Sequence, residues 1–196
     1  MMSLWRMALA VGVLGVGVTA AAQDGPVPDI ARPPHNLFPG KTNPKVTQAN
    51  IQSTICKAGW TDTIRPPTSY TTALKKTQMR DTLHYLTKNP LPKVLSTSGL
   101  TMIPQLTKCK VHSANTQCWE EDHIISLQLG GAPRDPDNLW PEPWFGKWNA
   151  RIKDVLETKM KRMVCNGEVT LAEAQKAIAT DWTAAYKKYV ATPPPG

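Results

Sequence analysis

The apolar positions of this chain change their rhythm several times, and each change marks a segment. After Arg6 the run from Met7 to Val18 is unbroken by charge and ends in Ala20-Ala21-Ala22 before Gln23. That is the charged start, short apolar core and small-residue cleavage site of a secretory signal peptide, expected over residues 1–22. A spanning helix needs about 20 apolar residues, and the polar and prolyl positions over 23–29 stop the run sooner, so no membrane anchor is expected. Residues 23–44 hold Pro26, Pro28, Pro33, Pro34, Pro39 and Pro44 with few large apolar side chains, which predicts an exposed leader. The proline-rich end over 191–196 reads as a tail. Residues 45–190 remain for a single domain, long enough for a real core.

Within that domain the pattern predicts mostly helices. Thr47 followed by QANIQSTIC gives a short N-capped helix, punctuated afterwards by Gly59 and the Pro66-Pro67 pair. Tyr70, Leu74, Leu83 and Leu86 fall near helical spacing and predict a helix over 69–87, and the two prolines in 89–99 predict a loop. From Leu106 to Ile125 the β-branched and aromatic content rises, predicting two short antiparallel strands around a turn near Ser113–Thr116. Ile152, Val155, Leu156 and Met163 make an apolar stripe over 148–164 that stops at Asn166-Gly167. Thr170 and Glu173 form a T-x-x-E capping box, and Ala174, Ile178, Trp182, Ala185 and Tyr189 share the next helical face. The last two helices should pack as a hairpin, in an α+β fold.

Charge and cysteines narrow the setting. Loss of residues 1–22 removes one basic residue, Arg6, and leaves 22 basic against 15 acidic, a net charge near +7. Such a balance favours polyanionic partners. Cys56, Cys109, Cys118 and Cys165 all follow the signal peptide, where oxidising conditions let disulfides persist. Four cysteines allow three connectivities; the expected pairs are Cys109 with Cys118 and Cys56 with Cys165. The absence of any C-x-x-C pair argues against a structural zinc site. The mature chain should be periplasmic or secreted.

The candidate chemistry lies in WEEDHIISLQLGGAPRDPDNLWPEPW, residues 119–144. Hydrolysis of a phosphodiester needs an activated water, a charge sink for the developing negative oxygens and relief for the leaving alkoxide. His123 has the side chain whose pKa suits a base near neutral pH. Asp122 beside it is a natural ligand for a hard divalent cation. Neighbours on a strand point to opposite faces, so the pair must lie at a strand end or bulge to converge. His35, His84 and His112 fall outside this stretch.

The run E-x-D-H-x-I-x-L-x-L-G-G followed by N-L-W-P resembles the ββα-metal core of HNH endonucleases, and the similarity spans about residues 106–157. The resemblance implies a β-hairpin and helix gripping one divalent ion, Mg²⁺ above Mn²⁺ or Zn²⁺. It implies His123 as general base, Asp122 as metal ligand and Asn138 as the residue that ties down the loop orienting the histidine. Flanking stretches such as NIQSTICKAGW are similar to exported bacterial proteins carrying the same core. The third motif position departs from the pattern: KWNARIKDVLE has no histidine, and Ala150 stands three residues before Lys153. Asn149 is the nearest replacement ligand, with Glu157, directly or through water, as the alternative; Glu120 is a supporting group, and Arg151 and Lys153 are phosphate contacts. The expectation is a metal-dependent endonuclease acting on DNA, or RNA, with little sequence preference. The alternative is a noncatalytic exported module with a degenerate HNH fold that binds nucleic acid or another polyanion.

Overall fold

A computed structural model of the chain describes residues 38–88, 109 and 115–190, with the backbone alone for 81–88. The expected signal peptide, tail and 89–99 loop lie outside the described residues, as do most of the leader and the first of the two strands expected after Leu106.

The elements in chain order are α1 (Trp60–Ile64), α2 (Thr68–Lys88), β1 (Trp119–His123), β2 (Leu139–Pro143), α3 (Ala150–Cys165) and α4 (Leu171–Tyr189), with 3₁₀ turns at Gln48–Ser53, Thr116–Cys118, Leu127–Leu129 and Pro136–Asn138. The fold is α+β, with a single two-stranded antiparallel sheet among the described residues. No helix among them is long and apolar enough to cross a membrane.

The pair α3 and α4 forms the main core. Ile152, Leu156, Met160 and Val164 step along one face of α3 at intervals of four and pack with Leu171, Ala174, Ile178, Trp182 and Ala185 of α4. Trp148 sets its ring edge-on to Trp182 and Tyr186, with centroids 5.6 and 5.5 Å apart. The α3 start is capped by Asn149, whose Oδ1 accepts from Arg151 N at 3.1 Å and Ile152 N at 3.4 Å. Thr170 and Glu173 close the expected capping box on α4, with Glu173 Oε2 accepting from Thr170 N at 2.8 Å and Thr170 Oγ1 from Glu173 N at 3.2 Å. Asp181 breaks α4 with extended backbone, and its carboxylate caps the next turn by accepting from Ala184 N at 2.9 Å.

Three expectations are corrected. Val155, placed in the apolar stripe, is 48 % exposed. The helix is rotated so that Lys153 and Glu157 are buried instead, because both face the hairpin. The short helix after Thr47 is a 3₁₀ turn. The leader expected to be exposed over 23–44 is packed at its described end, where Phe38 and Asn43 are buried and Lys41 N donates to Asn138 Oδ1 at 3.1 Å. Residues 141–143 belong to β2, which pairs with β1 in the register Trp119↔Pro143, Asp122↔Trp140 and His123↔Leu139. Prolines in a strand are unexpected because they donate no ladder hydrogen bond, yet a two-stranded sheet has a free edge on each strand where that donor is not needed.

Both disulfides join the expected partners: Cys56 to Cys165 across 109 residues, and Cys109 to Cys118 at the entry to β1. The first ties the 3₁₀ turn at Gln48–Ser53 to the end of α3. The second anchors the chain just before the strand that carries Asp122 and His123. The hairpin is held from α2 as well, since Gln78 Nε2 donates to Leu139 O at 2.8 Å and Lys75 Nζ to Trp119 O at 2.8 Å.

Candidate active site between the hairpin and helix α3

His123 is the last residue of β1, at the strand end where convergence with Asp122 would be easiest. Its Nε2 lies 3.1 Å from Pro133 O. A carbonyl only accepts, so Nε2 carries the hydrogen and Nδ1 keeps its lone pair. The ring is 5 % exposed. Burial holds its pKa below the usual histidine value, against the opposing pull of Asp122 and of the Pro133 carbonyl, while Lys153 and Arg65 add to the lowering.

The loop that supplies Pro133 is fixed by Asn138. This side chain is fully buried. Its Oδ1 accepts from Ile125 N at 2.9 Å and Lys41 N at 3.1 Å, while its Nδ2 donates to Ile125 O at 3.1 Å and Ala132 O at 3.0 Å. Two donors and two acceptor sites are thus spent on backbone alone. Gly131 completes the clamp: a Cβ there would stand 1.7 Å from Ile125 O and 2.9 Å from Asn138 Nδ2, so no side chain fits.

Asp122 points towards α3, where Lys153 meets it. Lys153 is 1 % exposed, and its Nζ donates to Asp122 Oδ2 at 2.5 Å, Glu157 Oε1 at 2.6 Å and His123 O at 2.8 Å. These three bonds spend all three ammonium hydrogens. Glu142 Oε2, from β2, lies 3.7 Å from the same nitrogen, and the other Glu157 oxygen accepts from Ser126 Oγ at 2.6 Å.

The carboxyls divide by environment. Although burial opposes it, the ammonium of Lys153 and a hydrogen bond from Glu142 hold the Asp122 pKa down to about 2. Burial raises Glu157 to about 7 and Glu142 well above the usual range. Neither Glu142 oxygen has a partner while it is charged; a proton on Glu142 supplies the bond to Asp122. Burial also raises Glu120 and Glu121 to about 8, on opposite faces of β1. Asp122 and Asp154 add to the shift of Glu120, while Lys75 on α2 opposes that of Glu121.

Of the residues singled out from the sequence, the structure gathers Asp122, His123, Lys153 and Glu157 at one centre, with Glu120 at its edge. Asn138 lies behind it. Two expectations are corrected. Lys153 was expected to contact phosphate, but it is enclosed by carboxylates and cannot reach solvent. Asn149 was expected to ligate metal, but its amide caps α3 and donates to Gly146 O at 2.8 Å. Arg151 is exposed over the Trp144 ring at 5.5 Å and can meet a ligand.

The sequence reading missed Glu142, Ser126 and Arg65. Glu142 sits opposite Glu120 in the sheet, so recognising the second strand would have found it. Arg65 is exposed and close enough to shift both His123 and Asp154, a proximity that no spacing rule reveals.

A divalent ion is the group the HNH resemblance implies here. Such an ion binds carboxylate oxygens at about 2.1 Å, and the oxygens of Asp122 and Glu157 that would face it already hold an ammonium. Among the described residues no set of three or more His, Cys, Asp or Glu is arranged to hold a metal. The side chains as placed do not fit a divalent cation. No family model, curated protein or solved structure matches this chain.

Proposed function

We propose that this chain is an exported hydrolase of phosphodiester bonds in nucleic acid, with DNA the favoured substrate and His123 the general base. The observation that carries this reading is the fixed tautomer of His123. Nε2–H is committed to Pro133 O, and Pro133 follows directly on a loop that Asn138 clamps by four backbone bonds. Nδ1 therefore keeps its lone pair, and the lowered pKa leaves it unprotonated at neutral pH. A water placed at Nδ1 gives up its proton to the ring as its oxygen bonds to phosphorus; the phosphorus–ester oxygen bond breaks, and the leaving oxygen takes up a proton from solvent. Lys153, by donating to the His123 carbonyl, positions the base without touching substrate. Arg65 and Arg151 are the exposed cations that would receive phosphate oxygens. Two disulfides and the surplus of basic residues support the exported, polyanion-binding setting.

The test is nicking of supercoiled plasmid by the oxidised chain without residues 1–22, compared with His123→Gln. Glutamine can still donate to Pro133 O but offers no basic nitrogen. Nicking should fall about 100-fold or more while the melting temperature changes little. Undiminished nicking by folded His123→Gln would overturn the assignment.

A noncatalytic polyanion-binding module is the second reading, favoured by the sequestered Lys153 and the carboxyls around it. It predicts salt-sensitive DNA binding without cleavage.

A further inference from the structure

Residues 38–46 cross the base of the loop that carries Pro133, and four hydrogen bonds join them to it. Asn43 N donates to Gly130 O at 2.8 Å, and Ala132 N donates to Lys41 O at 2.8 Å. Thr42 stands between these two bonds, bridged antiparallel to Gly131. The other limb of the loop is held by Gly40 N, which donates to Asp137 O at 2.9 Å, and by Lys41 N, which donates to Asn138 Oδ1 at 3.1 Å. Pro133 lies between the two limbs in sequence. Apolar side chains pin the segment at both ends, Phe38 against Ile124 and Trp140, and Val46 in the main core. The approach is close. A Cβ on Gly130 would stand 2.7 Å from Val46 Cγ1, and one on Gly40, where φ is +79°, would stand 3.1 Å from Ile124 Cγ2.

We infer that residues 38–46 are a positioning strap for the general base: by tying Gly130 and Ala132 to Asp137 and Asn138, they hold the Pro133 carbonyl where it orients the His123 ring. Asn138 does not do this unaided. Its buried Oδ1 has two acceptor sites, and Ile125 N fills one of them. With the strap lifted the second is left empty, Gly130 O and Asp137 O lose their donors, and Ala132 N loses its acceptor. Buried groups left in that state are costly, so the loop opens to water to satisfy them and Pro133 moves with it. The Lys41 side chain adds only an exposed ion pair to Asp137 at 3.7 Å, worth little, so the positioning lies in the backbone. Neither disulfide reaches the strap, and its release can loosen the loop while α3 stays packed on α4. The inference rests on the reading of His123 as base, but the tautomer of the ring is measured without reference to cleavage.

The experiment compares the disulfide-bonded chain with Gly40→Val and Phe38→Ala by ¹⁵N nuclear magnetic resonance of the histidine rings, with His123→Gln to assign the His123 signals. In the wild type, above the titration range of the ring, Nε2 and Nδ1 should give well-separated protonated and unprotonated signals. In either strap variant the two should move towards each other as the tautomers mix, and kcat for nicking should fall about 10-fold or more with little change in KM. Val164→Ala, in the main core at the far end of α3 from the site, should lower the melting temperature and leave the ring signals as in the wild type. A strap variant that folds with wild-type ring signals would overturn the strap. Where a variant does not fold, hydrogen exchange of the wild type decides. The amides of Gly40, Lys41, Asn43 and Ala132 should open as one unit, and an Ala132 amide that stays protected after the strap amides have exchanged would overturn the inference as well. Ring signals that respond to the strap in a chain that nicks no plasmid would reject the hydrolase reading and leave the strap standing.

Discussion

Replacing Lys153 by methionine is expected to lower the unfolding free energy by about 3–5 kcal/mol near neutral pH. Methionine nearly preserves the volume, so the loss isolates the charge and its hydrogen bonds. Without the ammonium, Asp122 Oδ2, Glu157 Oε1 and the His123 carbonyl lose their donor in a place water does not reach. Part of the penalty is avoided by proton uptake, since a carboxyl in an apolar site becomes neutral before it stays charged. The loss should therefore shrink as pH falls. It should also shrink when the negative charges go together with the positive one. The triple variant Lys153→Met, Asp122→Asn, Glu157→Gln should recover much of the stability, because a buried ion pair is worth little more than a neutral replacement. Urea unfolding of the single and triple variants checks both statements. A loss below about 1 kcal/mol in the single variant would match an exposed pair and would remove Lys153 from the centre.

What the sequence disclosed and what it hid follow from the range of each signal. Helix ends and caps are local, so Thr170 with Glu173 and the stop at Asn166-Gly167 were readable directly, and α3 and α4 appear where expected. The disulfide partners were readable from the placement of four cysteines around the candidate segment. Asp122, His123 and Asn138 were singled out through the HNH resemblance of the run that carries them, and the structure places Asn138 behind the loop next to His123. The partner of β1 was not readable, because WPEP carries two prolines and no alternation, and strand pairing across 15 residues leaves no local mark. That single omission hid Glu142. The fate of Lys153 was hidden for another reason. On a helical wheel it sits beside the apolar stripe with Glu157, where it looks like a solvated pair. Only the presence of Asp122 and Glu142 on the facing hairpin draws it inward and turns Val155 out.

The thermal stability of the disulfide-bonded chain should be highest near about pH 5 and fall towards about pH 9, by an amount on the order of 3–5 kcal/mol. The cause is the group of carboxyls that burial keeps protonated. Glu120 and Glu121 are raised to about 8, Glu157 to about 7 and Glu142 well above its usual value. Between the unfolded value of 4.5 and these folded values the native chain binds more protons than the unfolded one. The stability they contribute is therefore fully present below about pH 4.5 and is lost as pH rises through about 7 to 8. His123 acts in the opposite sense, because its lowered pKa makes the folded chain bind fewer protons below about pH 6.5. One such group against four carboxyls blunts the slope on the acid side without reversing it. Asp122, held at about 2, costs stability only when the pH falls below the ordinary aspartate range. All four cysteines are bridged, so mild alkali introduces no thiol titration to confuse the measurement. Glu142→Gln mimics the protonated acid and should flatten the curve at its alkaline end while changing little near pH 5. A melting temperature that rises between about pH 5 and 8, as carboxylates stabilised by ion pairs would give, would mean that these buried groups fold in their charged form.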